Sequence, residues 1–144
     1  MTEIRPLAPG DRPEWERLYR GYADFYRVET SADKLATLFA WLMDPAHPCN
    51  DLVAVAGDGG LAGLAHYRAM PSPLRGAEVG FLDDLFVDPY RRGDGKGKAL
   101  LRQSTRSLQH AAWALFGGSC VTKITGHGAC MTGCRTDLTG LPTR

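Results

Sequence analysis

The stretch Phe81-Leu82-Asp83-Asp84-Leu85-Phe86-Val87-Asp88-Pro89-Tyr90-Arg91-Arg92-Gly93-Asp94-Gly95-Lys96-Gly97-Lys98-Ala99-Leu100-Leu101 decides how this 144-residue chain folds. Val79 to Val87 is the strongest strand signal in the sequence, and Asp88-Pro89 closes it. Glycines at 93, 95 and 97 then form a turn that opens into a helix at Lys98-Ala99-Leu100-Leu101. Strand, glycine turn and helix in that order make an anion cradle. Successive glycines let backbone N–H groups converge, and the helix start adds its partial positive charge. Two common phosphate loops are excluded. A Walker A loop needs Gly where Arg92 stands and Ser or Thr where Ala99 stands, and a dinucleotide G-x-G-x-x-G loop needs Gly at Lys98. Taken alone, these residues also suit a flexible turn carrying solvated Arg and Lys.

Upstream, Glu3 to Leu7 alternates polar and apolar as a short strand, with Pro6 favouring a sheet edge. Asp11 is placed to cap a first helix, along which Trp15, Leu18, Tyr19, Tyr22 and Tyr26 recur at helical spacing. Ser31 starts a second helix with Leu35, Leu38, Phe39, Leu42 and Met43 on one side, stopping before Pro45. Asp51 to Ala56 and Leu61 to Arg68 read as a hairpin around Gly57-Asp58-Gly59-Gly60, and Pro71 to Gly76 as a loop. An aromatic stripe such as Tyr19-Tyr22-Tyr26 is more often core than binding site, and His66, among apolar neighbours, suits a packed histidine better than a base.

The stretch from Phe81 to Leu101 resembles the central acetyl-CoA motif of the GNAT superfamily of N-acetyltransferases, most closely at the R-x-x-G-x-G core of Arg92, Gly95 and Gly97. With the preceding order of strand, two helices, hairpin and long strand, the resemblance covers roughly residues 1–101. It implies an α+β fold with a mixed, mainly antiparallel central sheet flanked by helices, and transfer of acetyl from acetyl-CoA to a small-molecule or peptide amine. It places the pyrophosphate of coenzyme A on Gly93, Asp94, Gly95, Lys96, Gly97 and Lys98 with Arg92 as a fixed cation. The pantetheine arm would lie along Leu85, Phe86 and Val87. Arg91 and Lys98 are open to the 3′-phosphate or, more simply, to solvent. Asp83 matches the family's proton-accepting carboxylate; an alkyl amine is almost wholly protonated at neutral pH and needs such a base. Strand alternation puts Asp83 and Asp84 on opposite faces, so only one enters the cleft. Tyr22, Tyr26, Asp24 and Glu29 lie where the family shapes its acceptor site. Lys96 departs from the pattern, which there has an apolar residue.

Composition divides the chain near Leu101. Residues 1–101 hold 15 of the 16 acidic residues, whereas 102–144 hold only Asp137 together with seven of the ten Thr and three of the four Cys. The family's second signature, roughly N-x-x-A-R-x-L-Y, is missing, and no tyrosine follows Tyr90. Taking the third base of each codon with the first two of the next, from Lys123 onward, permits N-Y-R-A-R-x-M-Y-D-R-V, with Asp obligatory at Met131-Thr132. Residues from about Arg102 are therefore expected to be out of frame, leaving the C-terminal half of the fold incomplete or aberrant. Either an active enzyme or a catalytically impaired coenzyme A-binding remnant follows.

The remaining expectations are exclusions. Cys120, Cys130 and Cys134 lack the C-x2-C knuckle of structural zinc sites, even with His110 and His127 nearby, so no metal is expected. A net charge of +1 and the acids Asp88 and Asp94 beside Arg91 and Arg92 argue against nucleic acid. The start carries no apolar leader and no run of about 18 apolar residues occurs, which points to the cytoplasm and away from membranes. The oligomeric state is open, a homodimer included.

Overall fold

The computed structural model describes residues 2–74, 76–108, 120–125 and 128–133. The chain runs β1 (Glu3–Arg5), α1 (Arg12–Phe25), α2 (Ala32–Met43), β2 (Asn50–Val55), β3 (Leu61–Ser72), β4 (Ala77–Val87), α3 (Lys96–Leu108), β5 (Cys120–Thr125) and β6 (Gly128–Gly133). The six strands form one sheet in the order β1-β2-β3-β4-β6-β5, each neighbouring pair antiparallel. This is the expected α+β architecture.

The sheet separates two apolar layers. On one face Trp15 and Leu18 of α1 and Leu35, Phe39 and Leu42 of α2 pack against Val53, Leu61, Leu64 and Phe86. On the other, Leu100 and Leu101 of α3 cover Leu52, Ala54, Ala65, Tyr67 and Leu82. Each fully buried Leu contributes about 1.5–3 kcal/mol relative to exposure, so the helical stripes hold the layers together. Ser31 caps α2 as its sequence suggests, its hydroxyl accepting from the Lys34 N–H at 3.2 Å.

Several local expectations change. Asp11 does not cap α1; its carboxylate pairs with Arg5 through two bonds and accepts the Ala8 N–H at 2.8 Å. Of the segment expected as a loop, Pro71 and Ser72 are strand, because β3 and β4 stay paired to Ser72↔Ala77. β2 reaches only to Tyr67, so the missing N–H of Pro71 interrupts no ladder on that side. Helix α3 starts two residues earlier than expected, with the Ala99 N–H bonded to Gly95 at 2.9 Å. Beyond it, the β5–β6 hairpin lies along β4 at Gly80↔Met131, Phe81↔Cys130 and Leu82↔Ala129. Cys134, His110 and His127 lie outside the described residues.

Candidate active site

A glycine turn and a helix start follow β4, as the sequence suggests. Gly93 and Gly95 take φ of 114° and 77°, a left-handed backbone that other residues enter only at a cost of about 1–2 kcal/mol. They turn the chain from β4 into α3, whose first amides have no intrahelical partner and form an electropositive end. Arg92 is exposed and donates from Nε to the Val87 carbonyl at 3.1 Å, which holds its guanidinium at the end of β4. Lys98 is exposed on α3. Lys96 is buried; its methylenes occupy the apolar position and its ammonium reaches the exposed carboxylate of Asp94, whose pKa it lowers. Arg91 turns away, pairing with Asp58 of the β2–β3 turn through two 3.0 Å bonds.

Two contacts brace the strand end. Asp88 accepts from Arg17 at 2.8 Å and from the Tyr90 N–H at 3.0 Å, and Arg17 also donates to the Leu61 carbonyl at 3.0 Å. Burial pushes the Asp88 carboxyl up, but the Arg17 bond prevails and holds it below the usual range. Along β4, Leu85, Phe86 and Val87 pair with β3 on one edge. On the other edge β6 pairs only with Gly80 to Leu82, so Leu85 to Val87 have no strand partner there among the described residues. An extended arm can add to that edge as a further strand.

The two acids correct the alternation argument. His66 pairs with Asp84 but Tyr67 with Leu82, so β4 carries one extra residue, Asp83, in a bulge. The bulge inverts the side-chain order: Phe86 packs on the α1 side and Leu82 on the α3 side. Asp83 and Asp84 therefore share the α1 face instead of opposing each other. Asp83 is half-buried and pairs with Arg68 at 3.0 Å, while Arg68 also stacks over Phe81.

Asp84 sits deeper. It contacts His66 Nδ1 at 2.8 Å, with Tyr22 and Tyr19 nearby. Burial pushes its carboxyl up, yet the bond to His66, with the nearby tyrosine hydroxyls adding to it, outweighs burial and holds the pKa below the usual range. The same burial, with Asp84 nearby, drives both tyrosine hydroxyls strongly upward. Cys49, on the same face, is pushed up to about 11, chiefly by burial.

His66 is buried at 1% exposure, as its apolar neighbours suggest, and it accepts a hydrogen bond at Nε2 from the Trp15 indole at 3.1 Å. Tyr19 and Tyr22 pack against the core as the stripe suggests, and they also line a cavity of about 700 Å³ between α1 and α2, together with Tyr26, Glu29, Asp33 and Trp41. Their helical spacing alone could not show this, because the same spacing serves a core stripe. The cross-strand partner of Asp84 was the missing signal.

Among the described residues no group of His, Cys, Asp and Glu is arranged to hold a metal ion, and no helix is long and apolar enough to cross a membrane.

Comparison with known proteins agrees with this geometry. The model of the acetyltransferase (GNAT) family matches residues 15–116. The D-amino-acid N-acetyltransferase of Saccharomyces cerevisiae is 27% identical over 99 residues; the match covers 68% of this chain and 62% of that protein, so the chain spans less than two thirds of that relative. Among solved structures, an integron cassette protein from the mobile metagenome of Cole Harbour Salt Marsh aligns with a TM-score of 0.64 at 25% identity, covering 74% of this chain and 70% of that one. An acetyltransferase of Trypanosoma brucei aligns with a TM-score of 0.59 at 26% identity, covering 76% of each chain. The chain belongs to the acetyltransferase (GNAT) family.

Proposed function

We propose that the chain transfers an acetyl group from acetyl-CoA to the nitrogen of a small-molecule or peptide amine. The observation that carries this is the β4–α3 junction, where an open strand edge, two left-handed glycines and a helix N-terminus follow one another without interruption. The residues fit the co-substrate's chemistry. Backbone N–H groups of Gly93 to Lys98 and the Arg92 guanidinium suit a pyrophosphate, and the edge at Leu85 and Phe86, without a strand partner among the described residues, suits the amide-bearing pantetheine arm. The co-substrate supplies an activated thioester; the chain binds it, orients it and handles the proton.

Asp83 is the proposed proton acceptor, directly or through water. It is half-buried on the α1 face, the face that also carries the aromatic cavity. Asp84 is less suited to that role, since the buried His66 already engages it at 2.8 Å. The cavity between α1 and α2 is the proposed acceptor site, with neither nucleic acid nor a membrane invoked. Thiol release from acetyl-CoA across a panel of primary amines tests the activity, and acetylated product identified by mass must accompany it.

One observation favours a second reading, an inactive coenzyme A-binding remnant. No tyrosine follows Tyr90, so the proton donor that the family places late in the chain is missing. An acetyl-CoA-induced rise in Tm without thiol release for any amine selects the remnant; thiol release selects the enzyme.

A further inference from the structure

We infer that His66 is a positioning residue for proton removal from the amine: its one imidazole N–H holds Asp84 and so fixes the β4 bulge that leaves Asp83 to meet the acceptor. Its bearing on catalysis rests on the reading of Asp83 as proton acceptor, but the pinning stands on the β3–β4 geometry alone.

A bulge sets two residues of one strand against one of its partner. Here the two are the adjacent acids Asp83 and Asp84, and the one is His66. The apolar residues around them do not choose which acid becomes the extra residue. Leu82 opposes Tyr67 on the α3 side and Phe86 opposes Leu64 on the α1 side, whichever of the two is left over. A side-chain contact has to decide it.

His66 supplies that contact and can supply only one. An indole nitrogen donates and never accepts, so the 3.1 Å contact from Trp15 Nε1 makes Nε2 of His66 an acceptor. A second ring proton would set N–H against N–H there, so the ring carries its proton on Nδ1 and donates it to Asp84 Oδ2 at 2.8 Å. Trp15 and His66 are both buried, and the rings of Trp15 and Tyr19 flank the imidazole with centroids 6.1 and 5.5 Å away. In such a site an unpaired N–H is costly, which makes this bond the stronger constraint. Asp83 is left to Arg68, whose Nε lies 3.0 and 3.3 Å from its two oxygens in a partly exposed pair that weighs little on the register. With the single N–H spent on Asp84, Asp83 keeps the more open place, its side chain 29% exposed against 16% for Asp84.

The test uses the full chain. In the wild-type protein, nitrogen-15 NMR is expected to show His66 as the neutral Nδ1–H tautomer, and cross-strand NOEs to set His66 against Asp84. A charged ring, an Nε2–H tautomer or NOEs setting His66 against Asp83 overturn the pinning. His66→Phe removes the N–H, and His66→Asn keeps one at the position of Nδ1. With the amine that the wild-type chain acetylates best, His66→Phe is expected to lower kcat about tenfold with the KM for acetyl-CoA unchanged. His66→Asn is expected to stay within about threefold of wild type. Equal losses in the two variants overturn the role of the N–H. Added to Asp83→Asn, His66→Phe is expected to cost nothing further, because it acts through that carboxylate. A further loss of about tenfold makes the part of His66 merely structural and overturns the positioning. Where His66→Phe does not fold, His66→Asn decides alone, and a loss of more than about threefold overturns the positioning. If the wild-type chain acetylates no amine, or Asp83→Asn is fully active, the reading of Asp83 falls and the effect on catalysis with it, while the NMR measurements still decide the pinning.

Discussion

His66 and Asp84 face each other across the β3–β4 ladder at 2.8 Å, and the pairing slips by one residue immediately after them. That slip places Asp83 and Asp84 on one face of the sheet and gives them different work. Asp84 engages the buried His66, while Asp83 sits half-buried in an ion pair with Arg68.

Removing Asp84 should be costly. Asp84→Ala leaves the buried His66 without its Nδ1 partner and is expected to lower stability by about 3 kcal/mol, read from the midpoint of urea unfolding. Asp84→Asn keeps the shape and should lose less. A loss under about 0.5 kcal/mol for Asp84→Ala refutes the burial argument.

Acid sensitivity follows in sign. The folded pKa values of Asp84, Asp88 and Asp11 are held down, so their contributions are present above the usual carboxylate range. They are lost as pH falls through the depressed folded values. Stability should therefore drop below about pH 4, and the drop should be shallower in Asp84→Asn. Equal slopes in the two proteins would show that Asp84 titrates normally.

At the cradle, Gly95→Ala forces a side chain into φ of 77° and should weaken acetyl-CoA binding as well as stability by about 1–2 kcal/mol. Arg92→Ala should weaken acetyl-CoA about tenfold or more through loss of a charge-assisted contact. Arg91→Ala, already paired with Asp58, should leave it within twofold or so. Calorimetric titration with acetyl-CoA ranks the three, and equal effects for Arg91 and Arg92 would contradict the assignment.

For the chemical step, Asp83→Asn is expected to cut kcat by about 10²–10⁴. Arg68→Ala should lower kcat less, without removing activity. Full activity in Asp83→Asn would move the proton to another group or to solvent.

The coding sequence tests the tail. Read in the alternative frame across Lys123 to Gly133, it is expected to encode Tyr opposite Cys130-Met131 and Asp opposite Met131-Thr132. A stop codon there, or no tyrosine, ends the frame hypothesis. The re-framed protein should melt more cooperatively and turn over faster than the present chain.

Much of this protein was legible locally. The order of strands and helices, the Ser31 cap and the left-handed glycines each depend on residues close together in sequence, where periodicity, side-chain capping and backbone freedom act directly. The glycine turn and helix start after β4 were therefore visible before any fold was known. The tail was readable only as a break in composition, because no family pattern there tied residue to place.

What the sequence by itself determined was the strand–turn–helix junction and the family's fold, since both rest on short-range chemistry from Phe81 to Leu101. Only the tertiary structure decided which carboxylate is buried, that Tyr19 and Tyr22 wall a cavity, and that Arg91 belongs to Asp58. Those depend on a one-residue slip between β3 and β4 and on contacts spanning tens of residues, from Trp15 to His66 and from His66 to Asp84. A period-2 pattern cannot register a bulge whose position is set by the partner strand.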